Sequence, residues 1–166
     1  MDRRFSHPPS PVKELILPTS LAQQIEAEGV AAYPNECCGL LVGRELDATR
    51  RVVDRLVPMA NAFDPVEQYH RFTVDPLAQM EAEKQADAEG KVVLGYYHSH
   101  PDHPARPSEY DRTHMPPWSF YSQVIVAIHA RRPADMTAWE INDETEQFEP
   151  QAIRREAPQT AAGGHS

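Results

Sequence analysis

Two periods of hydrophobicity run along this chain, and the switches between them divide it into elements. Val12–Leu17 (VKELIL) reads as a first strand, ended by Pro18. Ser20 and Gln23 form a capping-box pattern, predicting a helix to about Ala32. Leu21, Ala22, Ile25 and Val30 make its apolar stripe, interrupted by Gly29. After a break at Pro34 and Asn35, the run Cys37–Val42 is a buried-looking strand entered directly behind Glu36. Residues 50–58 are another strand, 61–68 a loop, and Tyr69–Val74 alternates like a strand. Asp75 with Pro76 opens a helix that stops at Gly90. Val92, Val93, Leu94, Tyr96 and Tyr97 begin a strand that carries on through His100, until Pro101 and Pro104 stop it. Ser108 is a good N-cap for a short helix with Asp111 in its first turn. Gln123–His129 is an apolar strand, and Thr137–Ile141 pairs with Gln147–Ile153 as a hairpin across Asn142–Glu146.

The order is strand, helix, several strands, helix, strand, short helix, strands. It predicts an α/β (α+β) fold: a curved mixed β-sheet packed by helices. The length suits one domain, placed at 12–155 between disordered tails at 1–11 and 156–166. The Ala161–Gly164 stretch, followed by His165 and Ser166, belongs to the second tail.

Composition removes several functions. The net charge is −9 and no Lys/Arg run forms a basic patch, so no nucleic-acid partner is expected. No apolar stretch has the length of a membrane span, and MDRRFSHPPSP lacks the apolar core of a secretory signal. The only cysteines, Cys37 and Cys38, are adjacent, which points to a reducing, cytoplasmic setting.

Candidate chemistry concentrates in VVLGYYHSHPDHPARPSEYD, residues 92–111. Side chains alternate along a strand, so His98 and His100 leave the same face. With Asp111 they make a set of two imidazoles and one carboxylate, the ligand count of a catalytic zinc that keeps a fourth position for water. Such an ion brings the pKa of its water toward about 7. A nearby carboxylate then serves as base and acid, and Glu36, at the mouth of a strand, is the candidate. A hydroxyl such as that of Ser108 can donate to the oxyanion. Each residue also has an ordinary reading: a hydrogen-bonded strand histidine, a helix-start carboxylate, an N-cap serine, a solvated loop glutamate. It is their combination at one spacing that points to chemistry. His103 lies in the same loop, facing solvent, substrate or a second metal. Cys37 and Cys38 read as small buried hydrophobes, and Tyr96 and Tyr97 as core on one side and site wall on the other.

The pattern His98-x-His100, seven residues, Ser108-x-x-Asp111, with Glu36 on an earlier strand, resembles the JAMM (MPN-type) zinc metalloprotease family. YPNECCGLLVG, NAFDP…YHRFTVDP and GYYHSHPDHPARPSEYD are similar to its small single-domain bacterial branch, over roughly residues 12–153. The resemblance implies the JAMM/MPN fold, which is cytidine-deaminase-like, and one Zn2+ held by His98, His100 and Asp111. It implies Glu36 as the catalytic glutamate and Ser108 as the residue steadying the tetrahedral intermediate. It also implies cleavage of a peptide or isopeptide bond at the C-terminal tail of a ubiquitin-like sulfur-carrier protein. The alternatives are a non-catalytic scaffold of the same fold that binds ubiquitin-like proteins, and release of cysteine from a carrier–cysteine adduct. A zinc deaminase would want a Pro-Cys-x-x-Cys pattern, which this chain lacks. Whether the protein forms a homodimer stays open.

Overall fold

The computed structural model describes residues 13–114 and 120–156. The tails expected at 1–11 and 156–166 lie outside the described residues, Glu156 excepted. The elements are β1 (Glu14–Ile16), α1 (Thr19–Ala32), β2 (Cys38–Glu45), β3 (Arg50–Met59), α2 (Pro76–Ala88), β4 (Val92–Pro101), α3 (Glu109–His114), β5 (Ser122–His129), β6 (Arg132–Ile141) and β7 (Phe148–Arg154). A single 3-10 turn at Pro65–Glu67 interrupts the long connection between β3 and α2. No helix among the described residues is long and apolar enough to cross a membrane.

The mixed α+β fold is as the periodicity predicts, but the sheet curves further than expected and closes. Its strand order is β1-β3-β2-β4-β5-β6-β7. The three residues of β1 pair in parallel with β3 on one side and β7 on the other. One short strand therefore satisfies both edges that an open sheet would leave unpaired. The hairpin between β6 and β7 is present, with Ile141 opposite Phe148, though β6 starts five residues earlier than Thr137. The other pairing that matters for the site is β4 with β5, which is parallel and sets His98 opposite Ile125 and His100 opposite Ala127. A parallel pair needs a crossover, and the segment after Pro101 that carries α3 supplies it.

The two faces of β4 have different partners. Tyr97 and Ser99 turn toward α1: the Tyr97 hydroxyl donates to Glu28 at 2.6 Å, and a Cβ at Gly29 would lie 3.4 Å from that of Ser99. Tyr96, His98 and His100 turn the other way, toward α2 and α3. There Tyr96 joins Leu40, Val42, Ala82, Ala86 and Val93 in a cluster under α2. Tyr96 and Tyr97 are both buried core residues and neither lines the cleft, contrary to the expectation that they wall it. Gly95 permits the β4–β5 approach, since a Cβ there would sit 1.8 Å from the Ser122 carbonyl oxygen. Backbone cannot swing aside as a side-chain end can, so Gly95→Ala is expected to destabilise the protein by about 3 kcal/mol, the upper part of the overpacking range. A urea midpoint equal to that of the parent chain would refute this.

Three local expectations change or sharpen. Helix α1 does not use the Ser20/Gln23 box. It starts at Thr19 behind Pro18, without a side-chain cap. The Pro18 carbonyl instead accepts from the N–H groups of Leu21 and Ala22 at 2.9 and 3.0 Å. Helix α2 follows its sequence signals: Asp75 accepts from Ala78 N–H at 3.0 Å, and Gly90 at φ +74° closes the C-terminal end. Tyr69–Val74 is not a strand. Its backbone finds the side chain of Asn61 in place of a neighbouring strand: the amide oxygen accepts from Thr73 N–H at 3.2 Å, and the amide nitrogen donates to Arg71 O at 2.9 Å. Alternation in sequence reports which side chains are apolar and does not identify the backbone's partner.

Candidate functional site

His98 and His100 lie near the C-terminal end of β4, which runs on through Pro101, on the face away from α1, and both are buried. Pro104, four residues beyond His100, bends the chain back so that its carbonyl lies 2.8 Å from Nδ1 of His100. A carbonyl only accepts, so Nδ1 carries the proton and Nε2 presents its lone pair inward. The ring of Phe72 stacks on His98, with centroids 4.5 Å apart. Burial lowers the His98 pKa, which favours the neutral, metal-ligating form.

Asp111 arrives from the crossover. Ser108 caps α3, its Oγ accepting from Asp111 N–H at 2.9 Å, while Asp111 Oδ2 accepts from Ser108 N–H at 2.9 Å. This reciprocal pair aims the carboxylate back at the strand end. Burial opposes its charge. The adjacent imidazoles of His98 and His100 and the Ser108 N–H outweigh that and hold Asp111 well below the usual carboxylate range.

Three donor atoms converge. His98 Nε2 and His100 Nε2 are 3.1 Å apart, and Asp111 Oδ2 lies 3.5 Å from the first and 3.3 Å from the second. A tetrahedral ion with ligands at about 2.0–2.1 Å needs donors about 3.3–3.4 Å apart. The trio thus has the size and donor chemistry for one divalent ion. It is the one group of three or more such side chains with this convergence among the described residues. His103 is exposed and joins no such group, and Cys37 and Cys38 are free thiols outside it.

Glu36 comes from the opposite side, just before β2. The pairing of Cys38 with His98 continues as hydrogen bonds between Cys37 and Ser99, which places Glu36 beside the end of β4 near His100. Its backbone is tied at both ends: the N–H donates to Gln68 O at 2.8 Å, and the carbonyl accepts from Asn61 Nδ2 at 3.2 Å. The residue is 5% exposed, and Oε1 has no hydrogen-bond partner among the described residues. Burial, with Asp111 acting in the same sense and Arg71 opposing, pushes its carboxyl up to about 9. A bound cation at the trio would pull it back toward the ionised form.

Glu36, His100 and Ser108 line part of a cleft of about 690 Å³. Tyr69, His70, Arg71 and Tyr110 form another part of its wall, with the Arg71 guanidinium 3.9 Å from the centre of the Tyr110 ring. Sequence reasoning does not single out Arg71, Tyr110 or Asn61. Only Asn61 carries a signal, an Asn at a strand end followed by Asp64-Pro65, where an amide can replace a turn's backbone bonds.

Comparison with known proteins bears on this geometry. A Thermus thermophilus protein described as a probable TtuB-protein conjugate cleaving protease is 37% identical over 98 residues, 58% of this chain and 60% of its own length. The chain therefore spans less than two thirds of that relative. The desampylase of Haloferax volcanii is 32% identical over 109 residues, covering 64% of this chain and 73% of that protein. Among solved structures, a Desulfitobacterium hafniense protein superposes with a TM-score of 0.74 at 29% identity, over 92% of this chain and 99% of that one. Residues 18–142, which run from α1 through the whole site to the end of β6, match the prokaryotic homologues of the JAB domain, and the chain belongs to that family.

Proposed function

We propose that this chain is a zinc-dependent peptidase, a single domain over residues 12–155, that hydrolyses a peptide or isopeptide bond at the flexible C-terminal tail of a ubiquitin-like sulfur-carrier protein. The observation that carries the reading is the convergence of the His98, His100 and Asp111 donors at 3.1–3.5 Å, with His100 lining the same cleft as a buried Glu36 and Ser108. The names of the Thermus and Haloferax relatives support the substrate class.

Zinc held by the trio supplies Lewis acidity toward an attacking water and the substrate carbonyl. The remaining work falls to this chain's side chains. Glu36 takes a proton from the water and delivers it to the departing amine; its free Oε1 gives that proton a place to land. Because Ser108 Oγ already accepts from Asp111 N–H, its own proton is free to point into the cleft and meet the developing oxyanion. Pro104 O and Ser108 N–H keep His100 and Asp111 in register through the cycle. The open cleft accepts an extended tail, and glycines pass closest to the buried donors.

The test is incubation of the zinc-loaded protein with carrier proteins extended beyond their C-terminal glycines, read by mass spectrometry with a chelator control. Chelator-sensitive trimming at the glycine end is expected. Intact carriers at all metal loadings would refute the reading. Ser108→Ala keeps the backbone N–H that orients Asp111, so metal content should hold while kcat falls about 100-fold, the cost of one oxyanion donor.

A further inference from the structure

Behind the Ser108 wall lies a second, smaller cavity of about 240 Å³, which shares Arg106, Pro107 and Ser108 with the main cleft. Trp139 and Phe148 are its aromatic lining residues. The indole is fixed: Trp139 Nε1 donates to Thr137 Oγ1 at 2.8 Å, and that hydroxyl donates to Ala105 O at 2.6 Å. Ala105 follows Pro104, whose carbonyl orients His100. One stretch of loop thus positions both a metal-ligand candidate and the wall of the second cavity.

The charge of this cavity is unusual for a chain of net charge −9. Of its two guanidiniums, that of Arg112 is paired with Glu109. Arg106 is exposed and makes no side-chain hydrogen bond or ion pair among the described residues. Glu109 is the only carboxylate lining the cavity among the described residues, and it is already engaged. An uncompensated arginine fork beside an aromatic floor matches a carboxylate, which it can bind with two parallel hydrogen bonds.

Size assigns the two cavities. A substrate lying across Ser108 must extend both ways from the attacked carbonyl. A tail attached to a folded carrier needs the larger, open cleft. At about 30 Å³ per water, 240 Å³ holds roughly eight waters, the room of one or two residues. We infer that the smaller cavity receives the group released when the bond is cut, and that Arg106 there binds a carboxylate borne by that group, making it a specificity-determining residue. The inference rests on the hydrolase reading for its direction. Hydrolysis breaks the C–N bond, adds hydroxyl to the acyl carbon and a proton to the amine. The carboxylate belongs to the amine-bearing product. It is either that residue's own α-carboxylate or an acidic side chain, and Arg106 would read the same chemistry in both.

The experiment measures binding without turnover, on zinc-loaded Glu36→Gln protein. Four fluorescein-labelled peptides share a glycine-ended tail followed by one residue: Ala as free acid, Ala as amide, Asp as amide, Asn as amide. Fluorescence polarisation should give at least tenfold tighter binding for the free acid than for its amide if the α-carboxylate is read. If a side chain is read, the Asp amide should bind tighter than the Asn amide. Arg106→Ala should erase whichever preference is seen, and Arg106→Lys should restore part of it, with unchanged melting temperatures as the folding control. Equal binding of all four peptides, or a preference that survives Arg106→Ala, overturns the inference. A parallel failure of the Glu36-bearing protein to cleave any of them would overturn the hydrolase reading alone.

Discussion

Glu36→Gln should lower kcat by about a thousandfold, in the middle of the range for losing a positioned general acid–base, with zinc content unchanged. The amide has nearly the shape of the carboxylate and leaves in place the backbone N–H bond to Gln68 O and the bond that the backbone carbonyl accepts from Asn61 Nδ2. What it cannot do is take a proton from water and return it to an amine. The residue is only 5% exposed, and solvent is poorly placed to substitute for it. Steady-state kinetics with metal analysis on the same sample decides the matter. A variant with full metal content and undiminished turnover would remove Glu36 from the chemistry. One that loses metal as well would make it a structural support of the centre.

Removing the metal should lower the melting temperature by roughly 8–16 °C. His98, His100 and Asp111 are at most 7% exposed, and their donors face one another at 3.1–3.5 Å. Such a cluster is costly without an ion, because two lone pairs and a carboxylate then share a desolvated corner. Free zinc at a thousand times its Kd adds about 4 kcal/mol to the folded state, and each kcal/mol moves the midpoint of a chain this size by about 2–4 °C. Scanning calorimetry of chelator-treated and zinc-loaded protein reads the shift. In His98→Ala the two traces should coincide, since two remaining donors hold the ion weakly. Coincident traces in the parent chain would mean that the trio does not bind zinc under the conditions used.

Much of the centre could be read from the sequence, because its spacing is local. His98 and His100 share a face since a strand alternates. Ser108 and Asp111 meet since a capping serine and the third helical residue are one turn apart. Asp75, Pro76 and Gly90 delimit α2 for equally local reasons, and residues 13–114 and 120–156 form the mixed α+β structure that the hydrophobic periods imply.

What lay beyond the sequence was every relation set by a partner far along the chain. Closure of the barrel depends on β1 pairing with β3 and β7 at once, and no feature of Glu14–Ile16 announces two partners. Tyr69–Val74 alternates like a strand, yet the Asn61 side chain takes its Arg71 O and Thr73 N–H, and Tyr69, His70 and Arg71 line the cleft. Arg106 and Trp139 are ordinary surface types until the fold sets them around one cavity. Chain geometry over three or four residues dictates the local set, so sequence alone determines it. The rest is decided by packing between segments tens of residues apart, where only the tertiary structure says which groups meet.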